Sequence, residues 1–319
     1  MVTSPRPFEK LPTADSSACS LPLGVPFTTA DALAAGISPK VLRGMRRTGL
    51  LRTMLTGVYV DSGVPDSLDL RARALFKVAP AGSVVTDRCA AWLLGADILG
   101  PSGRDAIPPV DVFRGGGGTR MRRGECRSGT RTFAEHDLMP VGDLLTTTPL
   151  RTALDLGRLL RRYDAIAAVD ALMRVGRLSR LDLTTELPRF RGARGVVQLR
   201  QLVAAADARA ESPAESRTRL LLTDAGLPEP QLQWEVRNRI GVVVYRLDLA
   251  YPEILLAVEY DGQEFHNSAA DRAHDEERRA YLRALGWTCV VLTQEHVYGS
   301  EPTASALVRA AYQRLSARR

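Results

Sequence analysis

Residues 246–266 read RLDLAYPEILLAVEYDGQEFH. The stretch from Val242 to Ala250 is β-branched and aliphatic, Ile254 to Tyr260 is a short apolar run, and Tyr251, Pro252 and Glu253 between them predict a tight turn. Two strands and a turn make a hairpin. Side chains alternate across a strand, so Tyr245, Leu247 and Leu249 face one way while Arg246 and Asp248 face the other; Leu255, Ala257, Glu259 and Asp261 share a face on the second strand. A turn centred on Pro252 and Glu253 sets Asp248 opposite Ala257, one same-face step from Glu259, at the roughly 7 to 8 Å of diagonal neighbours. Asp248, Glu259 and Asp261 are thereby expected on one patch.

Carboxylates crowded on a sheet face raise one another's pKa unless a positive charge lies between them. A divalent cation would supply it. Oxygen-only ligands suit Mg2+ or Mn2+ rather than zinc. The competing reading is that Asp261-Gly262 turns the chain while Asp248 and Glu259 pair with arginines on a solvated face.

The chain has 319 residues, 45% hydrophobic and 25% charged, which fits a globular protein of two or three domains rather than a disordered one. Up to position 210 there are 30 Arg and Lys against 20 Asp and Glu; from 211 onward there are 13 against 16. The basic excess lies in the front, which suggests an encounter with a polyanion there, the alternative being a merely basic surface. Lys10, Lys40 and Lys77 are the only lysines. Cys19, Cys89, Cys126 and Cys289 have neither the spacing of a zinc site nor the density of a disulfide framework. No secretory leader or membrane-length apolar run is present, so a cytoplasmic location is expected, with no membrane partner.

Residues 1–25 are rich in Pro, Ser and Thr and are expected to be a flexible arm. Thr28-Thr29-Ala30-Asp31 fits a capping box, and Ser38-Pro39 gives an N-cap followed by proline at the first helical position. Two short helices follow, the second carrying Lys40, Arg43, Arg46 and Arg47 and stopping at Gly49. Leu51–Met54 and Gly57–Val60 then predict a small β hairpin. A basic helix followed by a β wing is how winged-helix domains meet the major groove and its phosphates; a solvated helix face is the alternative. With its Gly-Ile-Ser, Gly-Leu-Leu-Arg and Gly-Val-Tyr, the segment 26–65 resembles the winged-helix domain of AbiEi-type antitoxins.

Residues 66–210 read as a mostly helical middle domain, with helices expected from Asp66, Thr86, Thr148-Pro149, Tyr163 and Gly195. Val110 to Arg131 is the exception: a strand, four glycines at 115–118, and a second arm. No Gly-Lys-Ser/Thr follows the glycines, so a hairpin loop is expected rather than a phosphate loop. Arg120, Arg122, Arg123, Arg127 and Arg131 are candidates for meeting a nucleic-acid backbone, or else solvated edges. The segment TTTPLRTALDL at 146–156 is similar to a piece of actinobacterial proteins that join an AbiEi-like front to a nuclease-like back.

From 211 to 319 the predicted order is αβββαβ. Glu215 in the first helix, Arg246-x-Asp248, Val258-Glu259-x-Asp261-Gly262, His266, Asp275 with Arg278, and Leu285-Gly286-Trp287 together resemble the PD-(D/E)XK nuclease superfamily, within it a domain of unknown function related to the very-short-patch-repair endonuclease. The resemblance implies a restriction-endonuclease-like fold. It further implies that Asp248, Glu259 and the Tyr260 carbonyl hold Mg2+ or Mn2+, with Glu215 reaching it directly or through water, and that Arg246, Asp275 and Arg278 support the site. The lysine of that pattern, two residues after Glu259, is here Asp261. Its part would fall to an Arg, Gln263, His266 or a second metal, or the site is inert. His266 would be a general base or transition-state donor, or simply close the loop.

The expectation is therefore a multidomain α+β protein: a winged-helix-like front, a mostly helical middle, and a metal-dependent endonuclease-like domain acting on DNA. The alternative is a non-enzymatic AbiEi-like antitoxin or transcriptional regulator with an inactive nuclease fold. The partners would be DNA and either a cognate toxin or a second copy of the chain.

Overall fold

The computed structural model describes residues 21, 24–100, 107, 110–115, 126–261 and 269–318. It is a mixed α and β structure with three sheets, and it divides into two compact units, Met1–Val78 and Ala79–Arg319. Among the described residues no helix is long and apolar enough to cross a membrane.

In the first unit β1 (Phe27–Thr28) leads into α1 (Thr29–Ala34) through the expected capping box: the Asp31 amide donates to Thr28 Oγ1 at 3.1 Å and the Thr28 amide to the Asp31 carboxylate at 2.8 Å. Such caps stabilise a helix by about 1 kcal/mol. Ser38 and Pro39 open α2 (Pro39–Arg47), which ends before Gly49 at φ +75°. β2 (Leu51–Leu55) and β3 (Val58–Asp61) form the ribbon that follows, and β3 also pairs with β1. Phe27, Ala32, Ile37, Leu42, Leu51 and Tyr59 make the core. The unit closes with α3 (Leu68–Phe76), capped by Ser67 and followed by Lys77, whose amine bonds the Asp31 carboxylate at 3.2 Å.

In the second unit the expected helical middle needs correcting. It contains a five-stranded sheet ordered β6-β5-β4-β8-β7, built from β4 (Val84–Val85), β5 (Val110–Gly115), β6 (Cys126–Arg131), β7 (Leu138–Val141) and β8 (Leu144–Thr147). β5 and β6 run parallel, with Val110 beside Cys126 and Gly115 beside Arg131, so they are not the two arms of a hairpin. The glycine run 116–118 and Arg120, Arg122 and Arg123 lie outside the described residues.

The expected helices are present: α4 (Asp87–Leu93), α5 (Pro149–Leu159), α6 (Arg162–Gly176) and α8 (Val196–Ala205), with the short α7 (Arg180–Glu186) added. α5 packs on α6 and α8 around Leu154, Ile166, Val169, Leu172 and Leu199. Gly157 permits the close approach to α8, because a Cβ there would lie 2.7 Å from Leu199 Cδ1.

The last hundred residues follow the expected order: α9 (Pro213–Asp224), β9 (Gln231–Arg237), β10 (Val243–Tyr251), β11 (Leu256–Tyr260), α10 (Ala269–Ala284) and β12 (Thr288–Leu292), then α11 (Gln294–Tyr298) and α12 (Ala304–Ser316). The sheet order is β12-β11-β10-β9, with only β11 and β12 parallel. Leu249, Tyr251, Leu256 and Val258 face a core shared with α9 and α12; Ala250 and Ala257 face a second cluster containing Leu282 of α10 and Trp287. α9 is also joined to the middle region. Leu220 belongs to the α5–α6 core, and Arg219, almost wholly buried, bonds Asp170 of α6 at 2.8 Å.

Candidate nucleic-acid interface and carboxylate cluster

Lys40, Arg43, Arg46 and Arg47 lie on the solvent side of α2, while Leu42 between them turns into the core. Three of the four arrive at one place. Arg43, Arg46 and Arg47 surround an open depression of about 480 Å3 floored by Leu51 and Thr53, and the Arg46 guanidinium stands 5.5 Å over the Tyr59 ring of β3. Among the described residues none of these cations has an ion-pair partner, so their charge faces solvent and any anion that approaches.

In the second unit, Arg131 has a different place from the expected one. It is bonded by both guanidinium nitrogens to Asp87, at 2.8 and 3.0 Å, and to Asp155 at 3.0 Å, and it lies 4.1 Å over the Phe113 ring. Engaged with both carboxylates, Arg131 is a brace and not a free phosphate ligand. The brace continues through Arg151, which bonds Asp155 at 2.9 Å and Asp137 at 2.6 Å, and through Arg158 and Arg189. Sequence reasoning misses this network, although Arg151, Asp155 and Arg158 stand at helical spacing that could have signalled it. Asp87, in left-handed backbone at φ +53°, has no such local signature. His136, Asp137 and Glu186 come close enough to suggest a metal, but Arg189 bonds all three and supplies their positive charge. Asp111, wholly buried opposite Arg127, is pushed up to about 6 by burial and then by Asp87.

Asp248, Glu259 and Asp261 line one cavity, with a register different from the expected one, but among the described residues they are not a group of three whose ligand atoms lie within 4.8 Å of one another. Leu249 pairs with Val258 and Ala250 with Ala257; one step further along, Asp248 stands opposite Glu259. The expected pairing of Asp248 with Ala257 is wrong by two residues. The cause is the loop: Pro252–Ile254 form a 3-10 turn and Leu255 takes the left-handed conformation at φ +51°, so four residues rather than two reverse the chain.

Burial pushes the Asp248 carboxyl above its ordinary value although it accepts a hydrogen bond from the Tyr260 amide. Glu215 enters from the first turn of α9. It accepts from the Glu211 amide at 2.9 Å, Ser212 Oγ at 2.8 Å and Gln233 Nε2 at 2.7 Å, and it is still pushed up to about 7, by burial first and then by Asp248. Glu259 is held by Arg278 of α10, which also donates to the Arg246 carbonyl at 3.0 Å. Arg246 itself pairs with Glu211 at 2.7 Å. Asp248, Glu259, Tyr260, Asp261, Arg278 and Arg279 enclose a small cavity of about 80 Å3. Its acceptors are all hard oxygens, the ligand type of Mg2+ or Mn2+, but Arg278 and Arg279 share the cavity and Glu215 does not line it. Gln263, His266 and the side chain of Asp275 lie outside the described residues.

Residues 81–205 match the family model of the AbiEi antitoxin C-terminal domain. The match covers α4 to α8 and the five-stranded sheet, that is, the middle of the chain rather than the segment 26–65 that resembles the antitoxins' winged helix. Two curated proteins of Mycobacterium tuberculosis, from strains CDC 1551 and H37Rv and both named only as uncharacterized, are 40% identical to the chain over 160 residues. That is 50% of this chain and 59% of each relative, so the chain spans a little over half the length of the curated relatives it matches.

Proposed function

We propose that the chain is a DNA-binding regulator of the AbiEi antitoxin kind, in which α2 and the β2–β3 ribbon form a winged helix that docks on the duplex and the 81–205 region meets a cognate toxin or a second copy of the chain. The observation that carries this reading is the antitoxin match over 81–205, together with a helix-turn-helix and ribbon ahead of it whose arginines have no internal ion-pair partners among the described residues. Arginine side chains displace counterions when they meet phosphates, so affinity should fall steeply with salt. The test is a gel-shift titration of the full chain on duplex DNA over a range of salt. Replacing Arg43, Arg46 and Arg47 by Gln should lower the slope of log K against log salt by about one for each phosphate that is no longer neutralised. A triple variant that binds with the native slope would overturn the proposal.

A second reading, hydrolysis of DNA phosphodiesters at Asp248 and Glu259, is favoured by their facing positions and by Glu215 near 7. Asp248, Glu259, the Tyr260 carbonyl and Glu215 would hold the cation of a PD-(D/E)XK-like site. A bound Mg2+ or Mn2+ would polarise the phosphate and acidify an attacking water. Two features favour the regulator instead: Arg278 neutralises Glu259, and Asp261 stands where the resemblance expects lysine. Supercoiled plasmid with Mn2+ separates the readings. Nicking by the native chain, lost in Glu259→Ala, gives the enzyme; nicking only by Asp261→Lys gives a nuclease fold disarmed at one position; none by either leaves the regulator.

A further inference from the structure

The second unit contains a cleft whose lining belongs neither to α2 nor to the carboxylate cluster. It has a volume of about 730 Å3, within the range of small-ligand sites. Its apolar lining is Leu156, Leu159 and Leu160 at the end of α5 and Phe113 of β5, of which Leu156 is buried and Phe113 lies under Arg131 at 4.1 Å. Its charged lining includes Arg88, Arg127, Arg131, Arg161 and Arg194.

The acids at this cleft are already engaged. Asp87 and Asp155 hold Arg131, and Asp164 is bonded to Arg217 at 3.0 Å. Among the described residues Arg88, Arg127, Arg161 and Arg194 form no ion pair, although the buried Asp111 carboxylate offsets part of the charge of Arg127 and Arg88, and the Arg88 Nε–H is buried without an acceptor. Four guanidiniums around one concavity repel each other, and an anion between them removes that repulsion.

A second observation points to the same ligand charge. Arg161 is the N-cap residue of the fifteen-residue α6, and no side chain caps the helix there. The first turn, with Arg161 and Asp164, borders the cleft. A helix start presents free N–H groups and the positive end of the helix dipole, the arrangement that takes phosphate.

We propose that this cleft binds a nucleotide, with its phosphates among Arg88, Arg127, Arg161 and the start of α6 and its nucleoside along the leucines. The concave shape and apolar lining separate it from a phosphate-tracking surface for a duplex, which needs neither. The site is independent of α2, since it lies wholly in the other unit.

The test is a titration of the full chain with fluorescent ATP and GTP analogues, with pyrophosphate and a DNA duplex as competitors. Saturable binding with Kd below about 1 mM is expected. Arg161→Gln with Arg194→Gln should raise Kd at least tenfold while the melting temperature stays put, because neither side chain has an ion-pair partner among the described residues to lose. Arg200→Gln, an exposed charge on α8, should leave Kd unchanged. Absence of saturation, equal affinity in the double variant, pyrophosphate binding as tightly as the nucleotides, or displacement by duplex alone would each overturn the assignment.

Discussion

Glu215 is the residue whose surroundings make the sharpest demand on solution conditions. Its carboxyl is raised from an ordinary 4.5 to about 7, because burial and the neighbouring Asp248 both disfavour its charge. A raised acid binds its proton in the folded chain where the unfolded chain has released it. Stability therefore falls as pH rises from about 4.5 to about 7, and the full cost is in place above that range. The loss is of order 3 kcal/mol at most, since one pKa unit corresponds to about 1.4 kcal/mol. Thermal unfolding of the native chain and of Glu215→Gln at about pH 5 and about pH 8 checks it: the variant should lose less stability over that interval. Magnesium added at the higher pH should restore part of the native chain's loss if the cluster takes a cation. Equal pH dependence in both proteins would mean that Glu215 is not the group responsible.

Between elements, the tie that matters most is Arg219 of α9 to Asp170 of α6. Both side chains are excluded from water, and Asp170 also accepts from the Asp207 amide at 2.8 Å. Removing one partner of a buried pair strands the other charge, at a cost of about 3 to 5 kcal/mol. Arg219→Met should lower stability by that amount in denaturant unfolding, and Asp170→Asn in the same chain should recover part of it. No recovery would mean that the arginine acts through its packing alone. This tie has no sequence signature, since the two residues lie far apart in the chain and neither belongs to a local pattern. The helices were legible for the opposite reason. Thr28 with Asp31, Ser38 with Pro39, and Thr148 with Pro149 announce their starts within four residues, and each is a cap in the structure. β4, with two residues, and β7 and β8, with four each, are too short to show a period, and the parallel pairings β4–β8 and β5–β6 depend on distant partners. The carboxylates were legible by residue type, but strict alternation fails on β10: Tyr245 and Leu247 pack in the cluster of Ala250 and Leu282, and Leu249 packs in the other one. The register of the hairpin was not legible, because nothing in Pro252–Leu255 announces that Leu255 would adopt left-handed backbone. Of the brace, the part on α5 is signalled by the helical spacing of Arg151, Asp155 and Arg158, whereas Asp87 and Asp137 join it from distant segments with no local motif.

At the scale of the molecule, the second unit joins the antitoxin-like region to the sheet of Asp248 and Glu259 through α9. A fragment beginning at 211 would expose Leu220 and leave Arg219 without Asp170, whereas a fragment 79–319 keeps both. The longer fragment should therefore unfold in one cooperative transition and the shorter should be markedly less stable in the same calorimetric experiment. A fragment 211–319 that melts as high as 79–319 would show that the shared packing contributes little. The cations that brace this unit are all guanidiniums, for the last amine in the chain is Lys77, partly exposed at the end of α3 and two residues before the unit begins. A lysine-directed protease can thus sever the chain beside the junction and then finds no further bond to cut, however far the remainder unfolds. Amine-reactive labels and cross-linkers would report on the first unit and be blind to the second.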